Sequence, residues 1–97
     1  MREAVFSPMA QADLDEIWEY TADRWDIEQV DSYVRDLVHA CTAVASGMRM
    51  GRSAEVVRSG YFKVTVGSHV VYYMESNEAI DVVRILHQQM DVSRHLD

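Results

Sequence analysis

From Val30 to Ala45 apolar side chains return every three or four positions: Val30, Tyr33, Val34, Leu37, Val38, Cys41, Val44 and Ala45. That spacing follows the 3.6-residue turn of an α-helix and draws one continuous apolar stripe. Such a helix has to bury its stripe against something, and the rest of the chain says what. At Gly47, a helix C-cap by its position and its tolerance of left-handed backbone, the period stops. Met48 to Gly60 carries Arg49, Arg52 and Arg58 without any apolar period and reads as a loop. Tyr61 to Val66, His69 to Glu75 and Ala79 to Leu86 are then rich in β-branched and aromatic residues, the mark of strands. Gly67-Ser68 suits a two-residue type II′ turn with Gly first, and Ser76-Asn77-Glu78 makes a second turn. Ile80, Val82 and Leu86 are expected on one face of the last strand.

The N-terminal part supplies a partner for the long helix. Glu3 to Phe6 reads as a short strand. Ser7-Pro8 is a helix start, with the Ser hydroxyl free to accept from the first turn and Pro where its missing N–H costs nothing. Leu14, Ile17, Trp18, Ala22 and Trp25 recur at helical spacing, and Asp13, Asp15, Glu16, Glu19 and Asp23 fill the remaining, solvated positions. Asp26, followed three residues later by Gln29, caps the second helix. So short a connection predicts an antiparallel helical hairpin. Asp91 is placed to cap a last short helical turn, Val92 to Leu96. The whole reads as one α+β domain over residues 1–97, in the order β-α-α-β-β-β with a short C-terminal helix, its hairpin packed on a small antiparallel sheet.

Composition excludes several classes. Hydrophobic residues make up 48% of the 97, so the chain is not compositionally disordered. No apolar run approaches the roughly 18 residues of a membrane span, and the opening MREAVFSPMA lacks the apolar core of a signal peptide. The single Cys41 permits no internal disulfide and fits a reducing cytoplasm; on the apolar stripe it is a core thiol. Sixteen acidic against nine basic side chains give a net charge of -7, which repels a phosphate backbone and argues against direct nucleic-acid binding. No cofactor motif is present. Asp15, Glu19 and Asp23 stand four apart, but nothing places a nucleophile or a desolvating pocket beside them, so they form a solvated or partner-facing surface. His87, Asp91 and His95 are also spaced by fours and would align as metal ligands on one helix. A strand up to Leu86 and a cap at Asp91 break that helix, so no metal site is expected.

Three blocks resemble a known family. Ser7-Pro8 with Ala12-Asp13-Leu14-Asp15-Glu16-Ile17-Trp18-Glu19-Tyr20 is similar to the first helix of ParE toxins of the RelE/ParE superfamily. Gly60-Tyr61 leading to Val66-Gly67-Ser68-His69-Val70-Val71-Tyr72-Tyr73 is a second such block. The ending, Val83-Arg84-Ile85-Leu86-His87-Gln88-Gln89-Met90-Asp91 with Arg94-His95-Leu96, is the densest match. The resemblance covers essentially the whole chain in order. It implies a RelE-like fold and a type II toxin–antitoxin system. The toxin would inhibit DNA gyrase without catalysing a reaction, and a ParD-like antitoxin would neutralise it in a hetero-oligomer. The C-terminal block, Arg84, His87, Asp91, Arg94 and His95, is the expected toxic surface. Arg84 is also free to pair with a carboxylate such as Asp81 or Glu75.

Arg49, Arg52 and Arg58 read as solvated charges, as anchors to the sheet end, or as contacts to an acidic antitoxin tail. Trp18 and Trp25, seven apart on one helix face, read as core packing or as the edge of a partner groove. Two other functions stay open beside gyrase inhibition. One is a ribosome-dependent mRNA endoribonuclease of the RelE type, which needs an acid, a base and cations around the scissile phosphate. Lys63 is the only lysine, and Arg84 and His87, three apart, point to opposite faces of a regular strand. The other is a non-toxic partner that only binds its antitoxin.

Overall fold

The structure is a computed structural model that describes residues 2–96; the expected domain also included Met1 and Asp97, which lie outside the described residues. Strand β1 (Glu3–Phe6) leads into helix α1 (Pro8–Ala22) and helix α2 (Ile27–Ser46). Strands β2 (Arg52–Ser53), β3 (Phe62–Val66), β4 (His69–Glu75) and β5 (Ala79–His87) follow, and a 3₁₀ turn, Val92–Arg94, completes the order.

Local signals set the element ends. Ser7 accepts from the Ala10 N–H with Pro8 next in line, and Asp26 accepts from the Gln29 N–H. Gly47 takes φ 85°, where a side chain would strain the backbone, and its N–H closes back onto Ala43 and Val44. The last turn of α1 closes with the N–H groups of Arg24 and Trp25 both on the Thr21 carbonyl, at 3.0 and 2.9 Å. Trp18 and Asp31, about equally far from this turn, are hydrogen-bonded at 3.0 Å, which fixes the two helices as a hairpin. Gly67 has φ 56°, while among the described residues none other than glycine has a positive φ. Ser68 is therefore excluded from the type I′ geometry, and the turn is of the II′ kind.

The sheet is mixed, not purely antiparallel. Its order is β1-β5-β4-β3-β2, with β1 parallel to β5 and every other pair antiparallel. The missed strand β2 explains the difference. Each successive element reverses direction, so one extra strand between α2 and β3 turns β5 around and lays it alongside β1.

A second correction comes from a bulge. Tyr72 is opposite Arg84 and Tyr73 opposite Val82, leaving Val83 unpaired. The bulge resets the alternation. Ile80, Val82 and Ile85 enter the core under the helices, whereas Leu86 goes through to the other face. On the helical side that core includes Ala10, Leu14, Ile17, Leu37, Cys41, Val44, Val71 and Tyr73. On the opposite side Ala54, Tyr61, Tyr72, Leu86 and Leu96 form a smaller cluster covered by residues 54–61 and the 3₁₀ turn.

Candidate functional site

The site begins where β1 ends. Phe6 is the last residue paired with β5, at Val82, so from Val83 onward that edge of β5 has no neighbouring strand. Side chains close it instead. The Ser7 N–H donates to the Val82 carbonyl at 2.9 Å and its hydroxyl to the Val83 carbonyl at 2.8 Å. Asp13, one and a half turns into α1, accepts the Ile85 N–H at 2.9 Å. Its carboxylate also receives a two-pronged guanidinium, Arg84 Nε at 2.8 Å and Nη2 at 2.9 Å. The third prong, Arg84 Nη1, donates to the His95 carbonyl at 3.0 Å. One cation thus ties α1, β5 and the C-terminal turn together. The hydrogen bonds it donates to Asp13 hold the Arg84 guanidinium above its ordinary pKa.

Asp13 was expected to face solvent. It is 7% exposed and is the only buried charged residue among those described. A carboxylate at this depth is tolerable because its two oxygens accept three hydrogen bonds, two of them from a guanidinium. Arg84 correspondingly pairs with Asp13, not with Asp81 or Glu75, while Glu75 takes Arg2 at 3.5 Å.

A second group lies across the hairpin turn. Tyr33 on α2 brings its hydroxyl within 2.6 Å of His69 Nδ1, 3.3 Å of the Val66 carbonyl and 3.1 Å of the Ser68 N–H, which donates to it. Burial, reinforced by the neighbouring His87, lowers the His69 pKa, and Asp13 opposes the shift. The Tyr33 hydroxyl and His69 Nδ1 share one hydrogen bond, whose direction follows the His69 tautomer. Burial likewise raises the Tyr33 pKa. The His87 ring, opposite His69 in the β4–β5 register, stands edge-on at 5.3 Å, and its Nδ1 accepts the Gln89 N–H at 3.1 Å.

Both groups open onto one cleft of about 1110 Å³ between the C-terminal half of α1 and the end of β5. Arg84, His87 and His95 from the expected toxic block line it. Strand alternation separates Arg84 from His87, but the free edge of β5 lets the long Arg84 side chain fold toward α1, and both reach the cleft wall. Asp91 and Arg94 stay outside the lining. Asp91 caps the 3₁₀ turn through the Ser93 N–H at 3.1 Å, and Arg94 is largely exposed, 3.6 Å from Asp91. His87 ends a strand and Asp91 starts a separate turn, so the spacing by fours with His95 is not realised on one helix.

The expected antitoxin contacts divide. Trp25 lines the cleft, edge-on to Tyr33 with ring centroids 6.4 Å apart. Neither tryptophan is core. Trp18 is 36% and Trp25 52% exposed, and Trp25 lies beyond the end of α1. The arginines belong to the other end of the sheet: Arg49 donates to the Thr65 carbonyl at 2.7 Å, Arg52 pairs with Lys63 across β2–β3, and Arg58 sits 5.9 Å over the Tyr61 ring. Arg49 is thus an anchor to β3. Cys41 is a core thiol, its pKa pushed up to about 11 by burial.

Asp13, Tyr33 and His69 were missed as site residues. Tyr33 stands inside the apolar stripe and His69 begins a strand, so neither spacing separates them from ordinary core or sheet positions. Asp13 carries one weak signal, an acidic residue directly beside the apolar Leu14 of the helix face.

Comparison with known proteins bears on the whole chain. The family model described as the ParE toxin of the type II toxin–antitoxin system, parDE, matches residues 4–92. The chain is 48% identical over 93 residues to a protein of Mycobacterium tuberculosis named Toxin ParE1, covering 95% of each. It is 38% identical over 96 residues to Toxin ParE1 of Caulobacter vibrioides, covering 99% of each. Among solved structures, one described as the chromosomal ParDE toxin–antitoxin system from P. aeruginosa superposes with a TM-score of 0.76 at 22% identity, over 90% of this chain and 96% of that one, a likeness of fold. The chain belongs to the ParE toxin family of type II toxin–antitoxin systems.

Proposed function

We propose that this ParE-family toxin acts by binding, with DNA gyrase as its target, and that a ParD-like antitoxin holds it inactive in a hetero-oligomer. The observation that favours binding over catalysis is the commitment of Arg84. Cleaving RNA requires a cation free to meet the charge that builds on the phosphorane. In the cleft the Arg84 guanidinium is engaged by Asp13 and the His95 carbonyl on all three nitrogens, and Arg24, the other arginine of the lining, lies 4.4 Å over the Tyr20 ring. Lys63 does not line the cleft, and a net charge of -7 opposes approach of a phosphate backbone. Toxicity is assigned to the C-terminal block, with His87 and His95 on the cleft, Arg94 exposed, and Arg84 and Asp91 shaping the turn that carries them.

Expression without antitoxin is expected to block replication, with filamentation and gyrase-dependent double-strand breaks, while messenger RNA stays intact. Arg94→Ala with His95→Ala is expected to give a folded, antitoxin-binding protein that no longer kills; undiminished killing would move the toxic surface elsewhere. The second reading, a RelE-type ribonuclease, draws on the grouping of Tyr33, His69 and His87, three groups able to exchange protons in one cleft. Codon-specific cuts in translated messages would establish it and remove the gyrase reading.

A further inference from the structure

The net charge of the chain is not spread evenly. Positions 8–46, the helical hairpin, hold nine acidic and two basic side chains, and the remaining positions hold seven of each, so the hairpin carries the whole -7. The charge that repels a phosphate backbone therefore belongs to the helical side of the molecule. Between Asp36 and Glu75 the chain has a single acidic residue, Glu55, against Arg49, Arg52, Arg58 and Lys63. Strand alternation sorts these cations. Phe62, Val64 and Val66 pack under the helices, so Tyr61 and Lys63 face the other way. Arg52 stands directly opposite Lys63, and Lys63 opposite Tyr72, which places Arg52 and Lys63 in one row on the sheet face away from the helices. Arg58, 5.9 Å over the Tyr61 ring, joins them there.

Like charges directly opposite on paired strands destabilise a sheet. Nothing nearby offsets the pair: the three ion pairs among the described residues belong to Arg2, Arg84 and Arg94, and Glu55 accepts the Gly60 N–H. A bound anion would relieve the repulsion. Two cations on side chains about 5 Å apart present a line of charge, which suits a repeating anion better than a single carboxylate. We infer that this sheet face binds the phosphate backbone of duplex DNA, through Arg52, Lys63 and Arg58, with the acidic hairpin turned away from the duplex. This placement presupposes the gyrase target proposed above, because gyrase holds duplex DNA and a toxin seated on that complex touches both. Contacts to phosphate fix position without reading bases, so no sequence preference is expected.

The test uses the full chain, free of antitoxin, and a short fluorescently labelled duplex, with anisotropy measured at two salt concentrations. Wild type is expected to bind at low salt within the non-specific range, a Kd of about 10⁻⁴–10⁻⁶ M. Lys63→Glu is expected to raise that Kd at least about tenfold and to lower the salt slope by about one. Its Tm should hold or rise, because the like-charge pair with Arg52 becomes an opposite-charge pair; a merely structural Lys63 predicts the reverse. Arg35→Glu, the same charge change on the exposed face of α2, is expected to leave duplex binding unchanged. In a supercoiling assay Lys63→Glu should require more toxin by a similar factor. Wild type that ignores the duplex at low salt, or Lys63→Glu that binds DNA or inhibits gyrase as wild type does, overturns the DNA face. An RNA duplex bound much more tightly than DNA, or antitoxin binding lost in Lys63→Glu with DNA binding intact, gives the face to another partner and overturns it too. Duplex binding that Lys63→Glu abolishes, in a wild type that leaves gyrase active, upholds the DNA face and removes the gyrase target alone.

Discussion

Asp13→Ala is the substitution that most exposes how the cleft is held. It deletes a carboxylate that accepts from Arg84 Nε and Nη2 and from the Ile85 N–H, and leaves those three donors without a partner. The two side chains are 9% and 12% exposed, so water cannot fully replace the lost acceptor. Removing one partner of a buried ion pair costs about 3–5 kcal/mol. Because Arg84 can swing part of its guanidinium outward, the low end, about 3 kcal/mol, is the expectation. A domain of this size is stable by roughly 5–15 kcal/mol, so a fifth or more of its stability goes. At about 4–8 °C per kcal/mol that is a fall in Tm of roughly 12–24 °C. Asp13→Asn keeps an acceptor for the Ile85 N–H and should fall between the two. Urea unfolding followed by circular dichroism gives the free energies, and a double-mutant cycle with Arg84→Met separates the pair from its surroundings. The cycle is expected to show coupling of more than about 1 kcal/mol, since Arg84→Met removes the stranded charge. An Asp13→Ala protein destabilised by less than about 1 kcal/mol, or strict additivity in the cycle, would refute the reasoning.

Other consequences follow from the same geometry. Burial, then the charge of His87, lowers the pKa of His69, so its contribution to stability is complete above about pH 6.5 and is lost as pH falls through the folded value; Tm is expected to drop between pH 7.5 and pH 5, with a shallower slope in His69→Gln, and an identical slope in both proteins would remove His69 as the cause. Cys41, its pKa raised to about 11 and its side chain buried, should resist iodoacetamide in the native protein at neutral pH and react on unfolding; rapid native labelling would contradict the assigned burial. A Cβ at Gly67 would meet the Tyr33 ring at 2.7 Å on a backbone with φ 56°, so Gly67→Ala should cost on the order of 2 kcal/mol and loosen the Tyr33–His69 contact, visible as a shifted His69 ring resonance; an unchanged Tm would count against it.

What the sequence made legible was local. Ser7 with Pro8, Asp26, Gly47 and Gly67-Ser68 each act within four residues, so their chemistry is written beside the place it operates. The helical period of residues 30–45 and the three strand segments told which faces meet. What escaped was set by partners far along the chain. Asp13 is an ordinary surface acid until β1 ends early and exposes the Ile85 N–H, 72 positions away. The bulge at Val83 depends on how β4 and β5 register, and it moved Leu86 to the opposite face. The two-residue strand β2 is too short to show a period, yet its presence reverses the direction of β5 relative to β1. The placement of the C-terminal block was hidden for the same reason: which of Arg84, His87, Asp91, Arg94 and His95 reach the cleft depends on the free edge of β5.

Inhibition of gyrase by binding is tested in a supercoiling assay. Antitoxin-free protein is titrated into gyrase, relaxed plasmid and ATP, with a translation reaction run alongside to monitor messenger RNA. Supercoiling is expected to fall at micromolar or lower toxin and to return when antitoxin is added, while the message stays whole. Full supercoiling at a large molar excess of folded toxin, with cleaved message in the parallel reaction, would contradict it.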